Sequence, residues 1–114
     1  MPKQLHRITQ GDDYRRVMRH GRRVGGPFVV AHAVLRTQDE PARFGYIVSK
    51  KVGNAVVRNR ITRRLKAISD EVLRDGFTGY DVVFRASPAA AAAPFVELRN
   101  DVLREIAKLD RARQ

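Results

Sequence analysis

The chain contains no cysteine, so neither a disulfide nor a thiolate metal site can stabilise its fold, and nucleophilic cysteine chemistry is excluded. No apolar run is long enough to span a bilayer, and the opening Met-Pro-Lys-Gln-Leu-His-Arg has no apolar segment behind its charges, unlike a secretory signal. These absences predict a cytoplasmic protein with no membrane partner. Internal repeats are also lacking. Acidic residues are scarce: 12 Asp and Glu stand against 23 Lys and Arg, a formal net charge of +11 over 114 residues. Such an excess requires a polyanionic partner. Arginine greatly outnumbers lysine, and its planar fork pairs with phosphate and stacks on bases, which favours nucleic acid over a membrane surface. The length predicts a single domain over residues 1–114, which on folding hides roughly two thirds of the unfolded chain's surface.

Along the chain, Thr9 to His20 reads as a short helix. Asp12 and Asp13 suit its positive N-terminal end, Tyr14, Val17 and Met18 form an apolar stripe, and Gly21 stops it. A short strand is predicted around Arg22 to Val24. Pro27 to Leu35 is β-branched and apolar on both faces, as expected of a strand packed on two sides. After the polar turn Gln38 to Ala42, Phe44 to Ser49 reads as a strand antiparallel to the previous one. Gly53-Asn54 then opens a long helix in which Val57, Ile61, Leu65, Ile68 and Val72 recur at helical spacing, closed by Gly76. Tyr80 to Arg85 is a short buried strand, and Pro88 to Pro94 an alanine-rich connector or frayed helix start. A last helix places Phe95, Leu98, Val102, Ile106 and Leu109 on one face. The expected fold is α+β: a sandwich with one sheet and one core, in the order helix-strand-strand-strand-helix-strand-helix.

No acidic residue lies between Ala42 and Ser69, whereas Arg43, Lys50, Lys51, Arg58, Arg60, Arg63, Arg64 and Lys66 are all cationic. On a helical wheel Asn59, Arg60, Arg63 and Lys66 lie opposite the apolar stripe, with Arg58 and Arg64 at its margins. A merely solvated helix face mixes signs in i,i+4 pairs, and this one does not. The entry Lys50-Lys51-Val52-Gly53-Asn54 adds two ammonium groups beside the unpaired N–H groups of a helix N-terminus, where phosphate is attracted. Lys50 through Lys66 is therefore the expected RNA-contacting surface.

The stretch Phe44 to Leu65, Phe-Gly-Tyr-Ile-Val-Ser-Lys-Lys-Val-Gly-Asn-Ala-Val-Val-Arg-Asn-Arg-Ile-Thr-Arg-Arg-Leu, resembles the signature of the bacterial ribonuclease P protein subunit, with Arg58-Asn59-Arg60 as its Arg-Asn-Arg core. Arg7-Ile8, the short helix ending in His20-Gly21, the strand spacing and the closing helix fit the same family. The resemblance implies a left-handed β-α-β crossover around the basic helix, which general rules of chain topology disfavour. It implies that the partners are a large catalytic RNA and the 5′ leader of precursor tRNA. The chemistry then belongs to the RNA and its Mg²⁺, and no small-molecule cofactor is expected. Carried over residue by residue, Lys50, Lys51, Asn54, Arg58, Asn59, Arg60, Arg63, Arg64 and Lys66 face the catalytic RNA, and Tyr14, Met18, Val30, His32, Ile47 and Ser49 line the cleft for the leader. Three positions depart from the family's cleft: Met18 and Ile106 stand where aromatics are common, and His32 where Tyr is frequent. Stacking on an aromatic contributes on the order of 1–3 kcal/mol per base, so the leader site is expected to be weaker or to lean on Arg15, Arg19 and His32. Tyr14 and His32 read equally as cleft or as core residues.

Two alternatives compete with a protein cofactor of an RNA enzyme. A nuclease acting alone needs carboxylates converging on Mg²⁺. Asp12 and Asp13 are adjacent and diverge on a helix, and the remaining acids read mostly as exposed or near turns. A plain RNA-binding module such as a ribosomal protein shares the charge and fold class without a role in hydrolysis. No protein metal ligand can be assigned from the sequence.

Overall fold

A computed structural model describes residues 6–113, excluding the side chains of residues 112 and 113. Most of the stretch read for a signal, Met1 to Leu5, lies outside the described residues. The elements are α1 (Gly11–His20), β1 (Arg22–Gly25), β2 (Val29–Leu35), β3 (Arg43–Ile47), α2 (Ala55–Arg74), β4 (Tyr80–Ala86) and α3 (Phe95–Arg113). The alanine-rich stretch forms a 3-10 turn over Pro88–Ala92, because a proline at each end confines it.

The four strands form one sheet in the order β1-β2-β4-β3. β3 runs antiparallel to β2 as expected, but the two do not pair. β4 lies between them, antiparallel to β2 and parallel to β3, with α2 as the crossover. The reason is burial. In β4, Val82, Val83 and Phe84 are inaccessible to solvent and need cover on both faces, which only a central strand receives. β3, with half-buried Arg43, Tyr46 and Ile47, tolerates the edge. Its outer side is met by the N-terminal segment, where the Ile8 N–H donates to the Phe44 carbonyl at 2.9 Å.

Strand alternation divides the sheet's faces. Val29, Ala31, Ala33, Phe44, Val82 and Phe84 point toward α2 and α3, joining Ile61, Leu65, Ile68, Val72, Leu98, Val102 and Leu109 in the main core. Ile106 belongs to that core as well. It lies on the far side of the sheet from α1, so it is not a cleft position. A second, smaller cluster on the opposite face joins Val83 to Ile8 and Val17, with Tyr14, Met18, Val34 and Ile47 packed against it. The fold is thus helix, sheet and helix pair, with apolar contacts on both sheet faces rather than one core.

The β1–β2 turn is held by α3. One oxygen of Asp101 accepts the N–H groups of Phe28 and Val29, each at 3.0 Å. Gly26 lies so close that an added Cβ would stand 2.0 Å from Asp101 Oδ1 and 2.6 Å from Glu105 Oε2. Glu105, one helical turn after Asp101, is fully buried, and neither of its oxygens meets a donor among the described residues. Asp81 and Asp101 are buried too; these three are the exceptions among acids outside α1, the other seven of which are not buried, as expected of residues on exposed faces or near turns. Burial, reinforced by the neighbouring Asp101 charge, pushes the Glu105 carboxyl up to about 9. As an acid it can donate its proton to Asp101.

Folding thus retains a proton that the unfolded chain releases in the ordinary carboxylate range, and stability falls as pH rises from that range toward 9. Glu105→Gln keeps a donor without the titration. Urea denaturation from pH 5 to 9 is expected to show a higher midpoint for the variant at neutral and alkaline pH, and a flatter pH dependence. Parallel curves for the two proteins would reject the assignment.

Candidate nucleic-acid interface

The loop before α2 is built to expose its cations. Val52 is buried and its N–H donates to the Ser49 carbonyl at 3.0 Å, a tight turn that leaves Lys50 and Lys51 in solvent. Asn54 caps the helix, its Oδ1 accepting the Val57 N–H at 3.0 Å. No acidic residue occupies the first turn of α2, although acids are favoured at that positive end. The ion pairs of the described residues fall elsewhere: on α1, around Asp81, and at Arg99–Glu71 and Arg104–Asp101. None of these pairs involves Lys50, Lys51, Arg58, Arg60, Arg63 or Arg64.

These cations are not equivalent. Asn59 and Arg63 are exposed, while Arg58 and Lys66 are half-buried. Arg60 Nη2 donates to the Ala91 carbonyl at 2.7 Å and Arg64 Nη1 to the Ala93 carbonyl at 3.2 Å. Both side chains lean across to the alanine connector. The wheel placed Arg60 on the free face because it could not register an element arriving from 30 residues later.

The second candidate region is on the α1 face of the sheet. Tyr14 lies over β3 at Gly45, where an added Cβ would meet its ring at 2.6 Å, and the Tyr46 N–H donates to its hydroxyl oxygen at 3.2 Å. Tyr14 is therefore both a packed residue and a wall. At the same end Asp81 is wholly buried. Arg43 grips it with Nε and Nη2 at 2.8 and 2.7 Å, Arg16 reaches it from α1, and Arg36 Nε lies 3.6 Å away. Burial alone would raise the Asp81 pKa, but the Arg43 and Arg16 guanidiniums outweigh it and hold the carboxyl below its usual range.

Beyond α1 the sheet face continues with Val30, His32 and Ile47. By register Arg23 pairs with His32, and Arg85 pairs with both Val30 and Ile47. Arg23 and Arg85 are exposed and form a cationic rim that the sequence reading missed, though period-two alternation from Val83 places Arg85 on this face. His32 is 7% exposed, with no partner for Nε2 among the described residues. Burial first, then Arg85 and Arg23, lowers its pKa, so the ring is neutral at physiological pH. Ser49 is exposed just past β3, and Met18 is half-buried beside Tyr14. Arg15 is engaged with Asp12 on the outer side of α1, and Arg19 is exposed. Tyr14, Met18, Val30, His32 and Ile47 thus share one face. Among the described residues no three His, Asp or Glu side chains converge as a metal-binding group.

Comparison with known proteins finds a similar fold and related sequences elsewhere. A family model described as Ribonuclease P matches residues 1–110. The ribonuclease P protein component of Clavibacter michiganensis subsp. michiganensis is 41% identical, over 85% of this chain and 86% of its own. That of Acidothermus cellulolyticus is 40% identical over 91% and 88%. In solved structures, the RNase P protein of Staphylococcus aureus superposes with a TM-score of 0.82 at 25% identity, covering 91% of this chain and 94% of its own. The protein from Thermotoga maritima, at 20% identity, shares the fold with a TM-score of 0.80 over 90% and 96%.

Asp81→Asn removes the charge that three arginines converge on, and stranding them is expected to destabilise the protein by about 3 kcal/mol in urea denaturation near neutral pH. Because the native carboxyl is held below its usual range, its contribution is present above that range and is lost as pH falls through the folded value. The gap between the proteins should therefore narrow in acid. Equal midpoints at neutral pH would show the cluster to be incidental.

Proposed function

The chain belongs to the Ribonuclease P protein family, and from that membership we propose that it binds the enzyme's catalytic RNA along Lys50 to Lys66 and guides the 5′ leader of precursor tRNA through the cleft beside α1. The holoenzyme then removes the leader by Mg²⁺-dependent endonucleolytic hydrolysis, giving the mature tRNA 5′ end. In this reading the RNA and the metal ions it holds carry the bond-breaking chemistry. The protein supplies phosphate neutralisation and position.

The observation that carries the proposal is the field of one sign. Lys50, Lys51 and Arg63 project from a loop and helix segment that holds no acidic residue before Asp70, and a polyanion is the partner that can answer them. Each phosphate neutralised releases counterions, so binding weakens steeply with salt. Arg58, Asn59 and Lys66 flank Arg63 and extend the surface along α2, while Asn54 acts first as the helix cap. In the cleft, the apolar floor of Val30 and Ile47 suits unstacked bases, and Arg23 and Arg85 suit the backbone. Neutral His32 is a buried ring beneath Arg23 and Arg85. No helix among the described residues is long and apolar enough to cross a membrane, and the cytoplasm, where tRNA precursors are made, is the expected site of action.

Cleavage of a precursor tRNA by a matched ribonuclease P RNA at low Mg²⁺, with and without the protein, tests the reading. Stimulated cleavage is expected only with both components. Binding without stimulation would leave a plain RNA-binding module, and cleavage by the protein alone would move the chemistry onto it.

At residue level, Arg63→Ala is expected to weaken RNA binding and to lower the salt slope by roughly one phosphate contact, while Arg111→Ala, near the chain's end, changes little. Identical salt series for the two variants would remove α2 from the interface.

A further inference from the structure

Four large apolar side chains stand well exposed among the described residues: Leu35, Val56, Phe95 and Val96. Phe95 and Val96 are adjacent, and Val56 stands on the helix against which the connector leading to them is held. Val56 lies one turn ahead of Arg60 on α2, and Phe95 and Val96 open α3 immediately after the alanine connector. Arg60 and Arg64 hold that connector against α2 through the Ala91 and Ala93 carbonyls. Its Ala90 and Ala93 are buried, so the stretch leading into Phe95 is anchored. No acidic residue occurs from Val82 to Val96. The connector is an apolar ledge fastened to a helix that carries Arg58, Arg60, Arg63, Arg64 and Lys66 and no acidic residue before Asp70. Phe95, 40% exposed, is the only aromatic ring among the well-exposed large apolar side chains.

Resting on the RNA-binding reading above, we infer that Phe95 is a stacking platform for an unpaired base of the RNA that lies along α2. Backbone phosphates on the cationic face leave bases free to turn toward the ledge, and single-stranded segments are held by this pairing of a basic track with an aromatic face. Arg60 and Arg64 are then positioning residues. Each spends one N–H on the connector, which keeps the ring beside the phosphate track. A stacking contact neutralises no phosphate, so its signature differs from that of an arginine: it changes affinity without changing the salt dependence.

The experiment is equilibrium binding of the full chain to matched ribonuclease P RNA across a salt series. Phe95→Ala is expected to lose about tenfold or more in affinity with an unaltered salt slope, and Phe95→Leu, which keeps an apolar side chain in case alanine loosens the fold, should lose a similar amount. Phe95→Trp would give the chain its only tryptophan, should retain affinity, and should be quenched when RNA binds. Unchanged affinity in Phe95→Leu, or absence of quenching, overturns the inference. If Arg63→Ala still lowers the salt slope in that case, only the stacking platform falls; if neither variant affects binding, the RNA-binding reading falls with it. A change in self-association of Phe95→Ala without RNA, with RNA affinity intact, would make the ledge a contact between copies and likewise overturn the proposal.

Discussion

A carboxylate with no exposed surface, Asp81, sits where α1, the end of β2, β3 and β4 meet. An isolated charge there would be costly, since desolvation of an ion is offset only by close, well-shaped partners. The offset comes from the bidentate Arg43 fork, from Arg16 and from Arg36. Arg16 is the consequential member because it belongs to α1. Through it the helix is fixed at one end of the sheet face, with Tyr14 laid over Gly45 as a second attachment. The proposed leader cleft is the part of this face beside α1, a short helix that Gly21 ends and the charged cluster pins at one side.

Local periodicity made much of the fold legible. The stripe from Val57 to Val72 faces the core as its spacing requires, as does that of the last helix from Leu98 to Leu109, although its expected first member, Phe95, is exposed; β2 is packed on both sides as its composition implied. What could not be read was non-local. Nothing in Arg43 to Ile47 says that its partner is Tyr80 to Ala86 rather than the strand before it. That choice follows from competition for the central place, which the more apolar strand wins. Ile106 was misplaced for the same reason: its helix face is plain from spacing, but which side of the sheet the helix covers is not.

The site divides along the same line. The loop and basic helix are contiguous, so their one-sign charge could be seen in the bare sequence. The cleft draws single residues from α1, β2 and β3, and only family resemblance brought them together. Its rim residues Arg23 and Arg85 went unnoticed because isolated arginines on short strands look like ordinary surface. Within the basic helix, the wheel set Arg64 at the margin of the stripe but could not distinguish Arg63 from Arg60, and it could not show that the Arg60 and Arg64 guanidiniums are engaged with connector carbonyls. Arginine suits that double duty. Its fork has five donors, so one N–H on a carbonyl leaves others to face outward.

The arrangement of charge along α2 runs against the helix's own electrostatics. Cations gather in its N-terminal half, at the positive end of the macrodipole, and like charges stand four residues apart at Arg60 and Arg64. The first acids come only at Asp70 and Glu71, where the dipole would prefer cations. An isolated domain has no reason to keep this order, and Asn54, the sole cap at the helix start, offsets only part of it. In the proposed RNA-binding role, that strain would be relieved by a phosphate over the loop and first turns, beside Lys50 and Lys51. The helix is thus less favourable alone than in company, and the difference becomes binding free energy for any polyanion that fits its N-terminal half.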